Sequence, residues 1–207
     1  MTLNPIINLT TDFGTEDPYV GVMKGVVLGI NPQAQLVDLT HSVRPQQVFQ
    51  GSFLLGTAFR YFPPGTIHVA VVDPGVGTAR RALAVQAGGY HFLGPDNGIF
   101  SHVLGELGVK VVGRREAPAP VALKRGIRAV SLTASRFCLH PVSSTFHGRD
   151  IFAPVAAHLS LGVPLEDFGD EVSSVLLYPL ARTRRQRYGA VTGQVVHIDH
   201  FGNLVTD

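Results

Sequence analysis

The sequence predicts an α/β fold in which a mostly parallel sheet carries helices on both faces, followed by the beginning of a smaller β domain. Three observations support this prediction. Apolar runs of strand length alternate with longer segments of helical periodicity up to residue 72, the order expected of a parallel sheet with crossover helices. Apolar residues make up 45% of the 207 residues, enough for a substantial core. Polar, glycine-containing segments follow several strands, where such folds bind ligands.

The first half of the chain alternates strand and helix. Asp17 precedes a proline, a pair that predicts the N-cap and first turn of a helix. Asn31-Pro32 ends that helix, and Pro63-Pro64-Gly65 ends the next. The predicted elements are a strand at 5–10, a helix at 18–30, a strand at 35–39, a helix at 46–62 and a strand at 67–72.

The second half is more irregular. Gly88-Gly89 lies between two apolar runs and predicts a hairpin. Residues 114–128 mix prolines with basic residues and are interpreted as a surface excursion. The remaining predicted elements are strands at 82–86 and 90–93, a helix ending near 107, a helix at 151–161 and strands at 193–198 and 203–206. We expect a catalytic domain at 1–178, a linker at 179–192 and a β domain that begins at 193.

Composition excludes several classes of protein. A formal net charge of +2 is too small to indicate nucleic-acid or membrane binding by itself. The single cysteine, Cys138, excludes an internal disulfide and disfavours a cysteine-based zinc site. The N-terminal residues lack the pattern of a signal peptide, and no apolar run approaches the ~18 residues of a spanning helix, so we expect a cytoplasmic protein without membrane contact. Four arginines of the linker could contact nucleic acid, but without interleaved aromatic residues a solvated linker is favoured: Arg182, Arg184, Arg185 and Arg187.

Five polar segments interrupt or follow the apolar elements, and the segment after the third strand is the most informative. Asp73 ends a buried run and is followed by a turn containing Gly75 and Gly77. This turn can bring Arg80 back to Asp73, forming a charged pair that could activate water. Each segment alone is also consistent with an ordinary turn or, for His147, with a hydrogen-bonded structural histidine. Their shared position after strands of one parallel sheet favours a common crevice.

The crevice is predicted to hold a nucleoside without a phosphate tail. Asp12, at the end of the first strand, can accept two hydrogen bonds from a ribose diol. No glycine-rich phosphate-binding motif of the GxGxxG or GxxxxGK[ST] type is present. Asp17, Asp96 and Asp199 add negative charge, which suits a cationic ligand, although Asp17 could equally serve only as the helix cap.

Taken together, the polar segments resemble one known family. TTDFGTEDPYVGVMKG (10–25), VVDPGVGTARR (71–81), GPDNGIF (94–100), SSTFHGRDIFAPVAAHL (143–159) and HIDHFGN (197–203) are similar to motifs of the S-adenosyl-L-methionine (SAM) hydroxide adenosyltransferases, which are related to fluorinase and chlorinase. The similarity runs through nearly the whole chain and is weakest near 111–130. It implies a large α/β domain followed by a smaller β domain, homotrimers with the substrate between subunits, and conversion of SAM and water to adenosine and L-methionine without a cofactor or metal. Adenosine or SAM could then remain bound during purification.

The resemblance also implies roles for individual residues. Asp73, Arg80 and His147 would form the catalytic group, and the halogenating relatives carry tyrosine in place of Asp73, a difference that favours water over halide as nucleophile. Asp12 would hold the ribose hydroxyls, and Asp17 and Asp199 the methionine amino group. The full set of implied substrate-binding residues is Asp12, Phe13, Asp17, Asn97, Phe146, Gly148, Asp199, Phe201 and Asn203.

Two other functions remain open from the sequence. Asp12, Asp73, His147 and Asp150 are hard ligands of the kind used by metal-dependent phosphohydrolases, although no HExxH or HxxEH spacing is present. A nucleoside-binding or SAM-binding module without catalytic activity is the second. Loss of activity on chelation would favour the former, and tight adenosine binding without turnover the latter.

Overall fold

The computed structural model of the chain describes residues 4–111, 117–180 and 183–207. The strands are β1 (Ile6–Thr11), β2 (Gln35–Thr40), β3 (Ile67–Val71), β4 (Ala82–Ala87), β5 (Tyr90–Pro95), β6 (Ala119–Ala122), β7 (Arg128–Ser131), β8 (Ser174–Leu177), β9 (Arg184–Arg185), β10 (Val191–Thr192), β11 (Val195–Ile198) and β12 (Leu204–Thr206). The α-helices are α1 (Tyr19–Ile30), α2 (Val48–Ala58), α3 (Ser101–Glu106) and α4 (Ala153–Ser160). The mixed α/β fold predicted from the sequence is confirmed.

The central sheet has six strands in the order β2-β1-β3-β5-β4-β7. Strands β2, β1, β3 and β5 are parallel, whereas β4 runs antiparallel to both of its neighbours. In the register between β1 and β3, Thr11 lies opposite Val71. The carboxyl ends of these two strands therefore lie side by side, and the polar segments that follow them emerge at the same edge of the sheet.

Helices cover both faces of the sheet. Successive side chains of a buried strand point to opposite faces, so each face presents apolar side chains to the helices that cover it. On β3, Val69 packs in the cluster that contains Met23 of α1 and Val155 of α4. The adjacent Ala70 packs in the other cluster, with Leu55 of α2 and further residues of α3. The sheet therefore lies between two hydrophobic clusters, one on each face.

The two helix starts differ in detail from the predictions. The predicted N-cap at Asp17 is wrong: the N-cap position of α1 is Pro18, without a side-chain capping hydrogen bond, and Asp17 is exposed. Helix α2 begins at Val48 and not at residue 46, because Gln46 has a positive φ of 64° that is incompatible with a right-handed helix.

The hairpin between β4 and β5 is confirmed, with Gly88 and Gly89 both at positive φ as a tight two-residue turn requires. The interpretation of residues 114–128 as an excursion is wrong at its end, since Arg128 begins β7 at the edge of the main sheet. Residues 119–122 also form a strand, which pairs with β8 in a small separate sheet. Residues 114–116 lie outside the described residues.

The C-terminal part of the chain forms two small antiparallel pairs, β9 with β10 and β11 with β12. Arg184 and Arg185 lie in β9 and are exposed, as is Arg187, whereas Arg182 is outside the described residues. His197 of β11 packs against Phe53 of α2 at a ring distance of 5.1 Å. Across 4–111, 117–180 and 183–207, no helix is both long and apolar enough to cross a membrane.

Candidate active site

A cavity of about 390 Å³ opens at the carboxyl ends of β1 and β3. The segment after β1 contributes Asp12 and Phe13, and the segment after β3 contributes Asp73. A third wall is formed by residues 145–148, which precede α4. The polar segments that the sequence placed after separate strands therefore meet at this edge of the sheet.

Asp73, Arg80 and His147 form a contacting group at the cavity. The Arg80 guanidinium donates from Nε to Oδ1 of Asp73 at 3.0 Å and from Nη2 to Oδ2 of the same carboxylate. Nη2 also lies 2.6 Å from Nδ1 of His147. The side chains of Arg80 and Asp73 are only 10% and 5% exposed, so their charges compensate each other in a largely buried position.

The glycine turn after β3 fits closely against the segment that carries His147. Gly77 has a φ of 76°, and a Cβ atom added there would lie 2.3 Å from the carbonyl oxygen of Ser144. Only a residue without a side chain allows both this conformation and this approach. The turn that bears Arg80 and the segment that bears His147 are therefore in direct backbone contact.

The segment before α4 is held by a buried carboxylate. Asp150 is 1% exposed and accepts hydrogen bonds from the backbone N–H of Ser143 at 2.8 Å and from Nε of Arg149 at 2.6 Å. Residues Gly148–Phe152 form a π-helical turn, in which the N–H of Ala153 donates to the carbonyl of Gly148. Such widened turns are found often at functional sites. Here the turn directly follows His147.

Three aromatic rings form the apolar side of the cavity. Phe13, Tyr19 and Phe146 meet edge to face, with ring centres 5.3 to 6.1 Å apart. The Arg149 guanidinium lies over the ring of Phe146 at 5.2 Å. Gly148 lies beneath these rings, and a Cβ there would come within 3.3 Å of both phenylalanines. The cavity thus combines an anionic wall with an aromatic one.

Burial and neighbouring charges shift the pKa values of two groups at the cavity, His147 and Asp12. Burial and the positive charge of Arg80 lower the pKa of His147, so the imidazole is neutral near pH 7. Burial raises the pKa of Asp12, and the negative charge of Asp73 acts in the same direction. The backbone N–H of Gln46 opposes this effect by donating to Oδ2 of Asp12 at 2.8 Å. The cavity therefore presents a neutral imidazole beside two carboxyl groups.

The sequence profile of the SAM hydroxide adenosyltransferase N-terminal domain matches residues 7–169. The chain belongs to this family. An (R)-S-adenosyl-L-methionine hydrolase from Salinispora tropica is 42% identical over 99% of this chain and 72% of its own length. A protein of the same name from Methanocaldococcus jannaschii is 36% identical over 98% of this chain and 66% of its own length.

A more distant relative and a solved structure are also similar to this chain. A fluorinase from an Actinoplanes species is 28% identical over 99% of this chain and 72% of its own length. The crystal structure of an uncharacterized conserved protein from Thermotoga maritima superposes with a TM-score of 0.84 at 38% identity, covering 97% of this chain and 70% of the other. The chain therefore spans roughly two thirds to three quarters of its relatives' length.

Within this adenosyltransferase domain, the structure brings together part of the predicted site. The residues that it gathers at the cavity or in contact with the group there are Asp12, Phe13, Asp73, Arg80, Phe146, His147 and Gly148. Asn97 lies outside the cavity lining: its amide donates to the Val72 carbonyl at 2.9 Å. Asp96 is buried and paired with Arg81.

Besides Asn97, four more predicted binding residues do not line the cavity of this chain. Asp17 is exposed beside the start of α1. Asp199, Phe201 and Asn203 lie in the turn between β11 and β12, where the Asp199 carboxylate accepts hydrogen bonds from Asn203 and from the backbone N–H of Phe201. Phe201 is 87% exposed.

Several residues of the cavity were not predicted from the sequence. The missed lining residues are Tyr19, Pro45, Gln46, Val71, Pro74, Val76 and Thr145. Pro74, Val76 and Thr145 are neighbours of predicted residues and could have been found from that proximity. Pro45 and Gln46 gave no signal, because they reach the cavity from the start of α2, a separate part of the chain.

Proposed function

We propose that this chain hydrolyses S-adenosyl-L-methionine to adenosine and L-methionine by attack of water at the ribose 5′ carbon. The observation that carries the proposal is the Asp73–Arg80–His147 group, which lies beside the Asp12 carboxylate in a cavity open to substrate. The family relationship supports the same substrate, since relatives at 36% and 42% identity carry the name of SAM hydrolase.

The proposed chemistry matches the charges of the cavity. The sulfonium of SAM departs as a neutral thioether, so the leaving group needs no proton donor. The remaining task is to hold water in line with the breaking carbon–sulfur bond, and positioning of this kind contributes ~7–11 kcal/mol in favourable cases. Carboxylates beside the cavity favour the cationic substrate, and the aromatic rings limit the access of further water.

The hydrogen bonds support different proposed roles for Asp73 and His147. Arginine only donates hydrogen bonds, so the contact from Arg80 requires an unprotonated Nδ1 on His147 and leaves the proton on Nε2. We therefore propose that His147 donates to the attacking water through Nε2 and that Asp73 accepts the water proton. The oxygen–carbon bond forms as the carbon–sulfur bond breaks, its electrons go to sulfur, and the proton leaves Asp73 for solvent.

The remaining substrate contacts follow the family resemblance. Asp12 would bind the ribose hydroxyls, while Asp17 and Asp199 would bind the methionine amino group. Phe201 and Asn203 would lie near the nucleoside. Since the turn between β11 and β12 does not line this chain's own cavity, we propose a homotrimer in which that turn completes a neighbouring subunit's site.

The proposed division of the chain follows the same family pattern. Residues 1–178 would form the catalytic domain, 179–192 the linker, and 193–207 the start of a β domain. The family profile, which matches 7–169, supports the first of these boundaries. We propose that the protein acts in the cytoplasm, without nucleic acid or a cofactor, and that adenosine or SAM is retained on purification.

Incubation with SAM followed by chromatography tests the function directly. Adenosine and methionine should form in equal amounts, and Asp73→Ala, Arg80→Ala and His147→Ala should each reduce the rate by about 10²-fold or more. Arg81→Ala is the matched control, because it breaks a similar ion pair with buried Asp96 next to the proposed catalytic arginine. Full activity of Asp73→Ala would refute the proposal. Tight adenosine binding without turnover would favour the binding module.

Addition of a chelator tests the remaining alternative, a metal-dependent phosphohydrolase. No group of three or more histidine, cysteine or acidic side chains is placed to hold a metal ion in the part of the chain that the structure describes. Asp150, one of the four ligands considered for a phosphohydrolase, has both carboxylate oxygens occupied by Arg149. We expect adenosine formation to be unchanged by excess chelator, and its loss would favour metal-dependent chemistry.

A further inference from the structure

Gln46 adopts a backbone conformation that glutamine rarely occupies. Its φ is 64°, and among the described residues Tyr188 is the one other non-glycine residue with a positive φ. The N–H of Gln47 donates to the carbonyl of Arg44 at 3.0 Å, which closes a four-residue turn. Pro45 and Gln46 are its central residues. Proline followed by a residue at positive φ is the pattern of a type II turn, whose second central position favours glycine.

The turn aims one hydrogen bond at the cavity. The backbone N–H of Gln46 donates to Oδ2 of Asp12 at 2.8 Å, across 34 positions of the sequence. Asp12 follows β1 and Gln46 precedes α2, so the contact joins two elements on the same edge of the sheet. A carboxylate held at one oxygen has a fixed plane, which leaves Oδ1 and the second lone pair of Oδ2 in defined directions.

We propose that Gln46 is a positioning residue for substrate: its left-handed turn directs a backbone N–H to Asp12 and fixes this carboxylate for the ribose hydroxyls. The inference rests on the proposed function, in which Asp12 binds the ribose. Unfavourable backbone conformations persist where the surrounding structure enforces them, and they concentrate at ligand-binding sites. The side chain of Gln46 is not required by this role, since the donor belongs to the backbone.

A pair of substitutions separates the backbone from the side chain. Gln46→Gly removes the side chain but keeps the N–H and favours the positive φ. Gln46→Val also removes the amide, but a β-branched residue strongly disfavours this φ and should turn the N–H away from Asp12. The glycine variant is the reference for the comparison, because it lacks the same side chain and keeps the N–H directed at Asp12. We expect the KM for SAM to be about 10- to 100-fold higher in the valine variant than in the glycine variant, the range of one hydrogen bond to a charged group, with a smaller change in kcat.

Binding of two nucleosides provides a readout that general damage to the fold would not reproduce. Calorimetry with adenosine and with 2′,3′-dideoxyadenosine compares ligands that differ only in the hydroxyls assigned to Asp12. Gln46→Val should weaken adenosine about 10- to 100-fold and leave the dideoxy analogue unchanged. Gln46→Thr, which is β-branched but polar, gives the same comparison if circular dichroism shows that the valine variant is unfolded.

The outcomes separate this inference from the proposed function. Equal losses in the glycine and valine variants, or equal weakening of both nucleosides, would overturn the role of the Gln46 backbone while wild-type turnover still stood. Failure of the wild-type chain to form adenosine from SAM would instead refute the proposed function. A KM for SAM that is clearly higher in the valine variant than in the glycine variant, together with selective loss of adenosine affinity in the valine variant, would establish the inference.

Discussion

Replacing Gly77 with alanine tests whether the contact between the two catalytic segments limits the reaction. The added Cβ would lie 2.3 Å from the Ser144 carbonyl oxygen, whereas ordinary contacts begin at 3.4 Å, so one backbone must move by about 1 Å. The positive φ of 76° adds ~1–2 kcal/mol of backbone strain for any L residue. His147 lies three residues beyond Ser144. A shift of the Ser144 backbone by about 1 Å would therefore misplace the imidazole relative to Arg80 and the substrate.

We expect Gly77→Ala to lower kcat for adenosine formation by about 10²-fold, since misplacement by ~1 Å can have this effect. Backbone strain alone should lower the melting temperature by roughly 2–8 °C, the equivalent of ~1–2 kcal/mol for a domain of this size, and the clash with Ser144 should lower it further. Gly65→Ala is the matched control, because Gly65 has a φ of 90° but no atom within 4 Å of an added Cβ. It should lose only the stability due to backbone strain, less than Gly77→Ala, with unchanged kcat. Equal kcat values for the two variants would refute the steric argument.

Three further predictions concern charge and hydrogen bonding. Arg80→Gln should lower the free energy of unfolding, measured in urea, by ~3–5 kcal/mol, because it leaves the buried Asp73 carboxylate unpaired. Adding Asp73→Asn should recover much of this loss, and no recovery would contradict the pairing. His68 is fully buried, and burial lowers its pKa from 6.5 to about 4. The stability that the neutral His68 imidazole contributes is fully present above pH 6.5 and is lost as the pH falls toward 4, so His68 should account for a loss of ~2 kcal/mol between pH 7 and pH 5. Burial also lowers the pKa of His102 to about 4, so His68→Phe should reduce the pH dependence of stability without abolishing it, and an unchanged dependence would contradict the reasoning. Asn97→Ala should reduce stability by ~1–2 kcal/mol through its lost bond to Val72 and leave KM for SAM unchanged, and a raised KM would assign Asn97 to substrate binding.

Local patterns predicted the parts of the fold that depend on neighbouring residues. The alternation of strands and helices up to β3 and the hairpin at Gly88-Gly89 both reflect short-range preferences, and the structure confirms them. Long-range pairing was not predictable in this way. Strand β7 joins the edge of the main sheet through β4, and β6 pairs with β8 more than fifty residues away, which hydrophobic periodicity alone does not encode.

The same distinction applies to the site. Asp73 and Arg80 are seven positions apart in a glycine turn, so their pairing could be predicted from local geometry. His147 is 67 positions from Arg80, and its place beside the arginine followed only from the family resemblance. Gln46 could not have been predicted, because a residue with no preference for positive φ occupies a position where glycine is usual.

The π-helical turn at Gly148–Phe152 sets the direction in which His147 points relative to the buried face of α4. Each residue of an α-helix advances by about 100°, so removing one residue to restore a regular helix would rotate His147 by that angle relative to the buried side of α4. Phe152 and Val155 would keep their places in the core, and the imidazole would then swing off the Arg80 guanidinium. The extra residue of the π turn therefore allows His147 to face Arg80 while the apolar side chains of α4 face the core. Single-residue deletions here should therefore abolish catalysis while the helix itself becomes more regular.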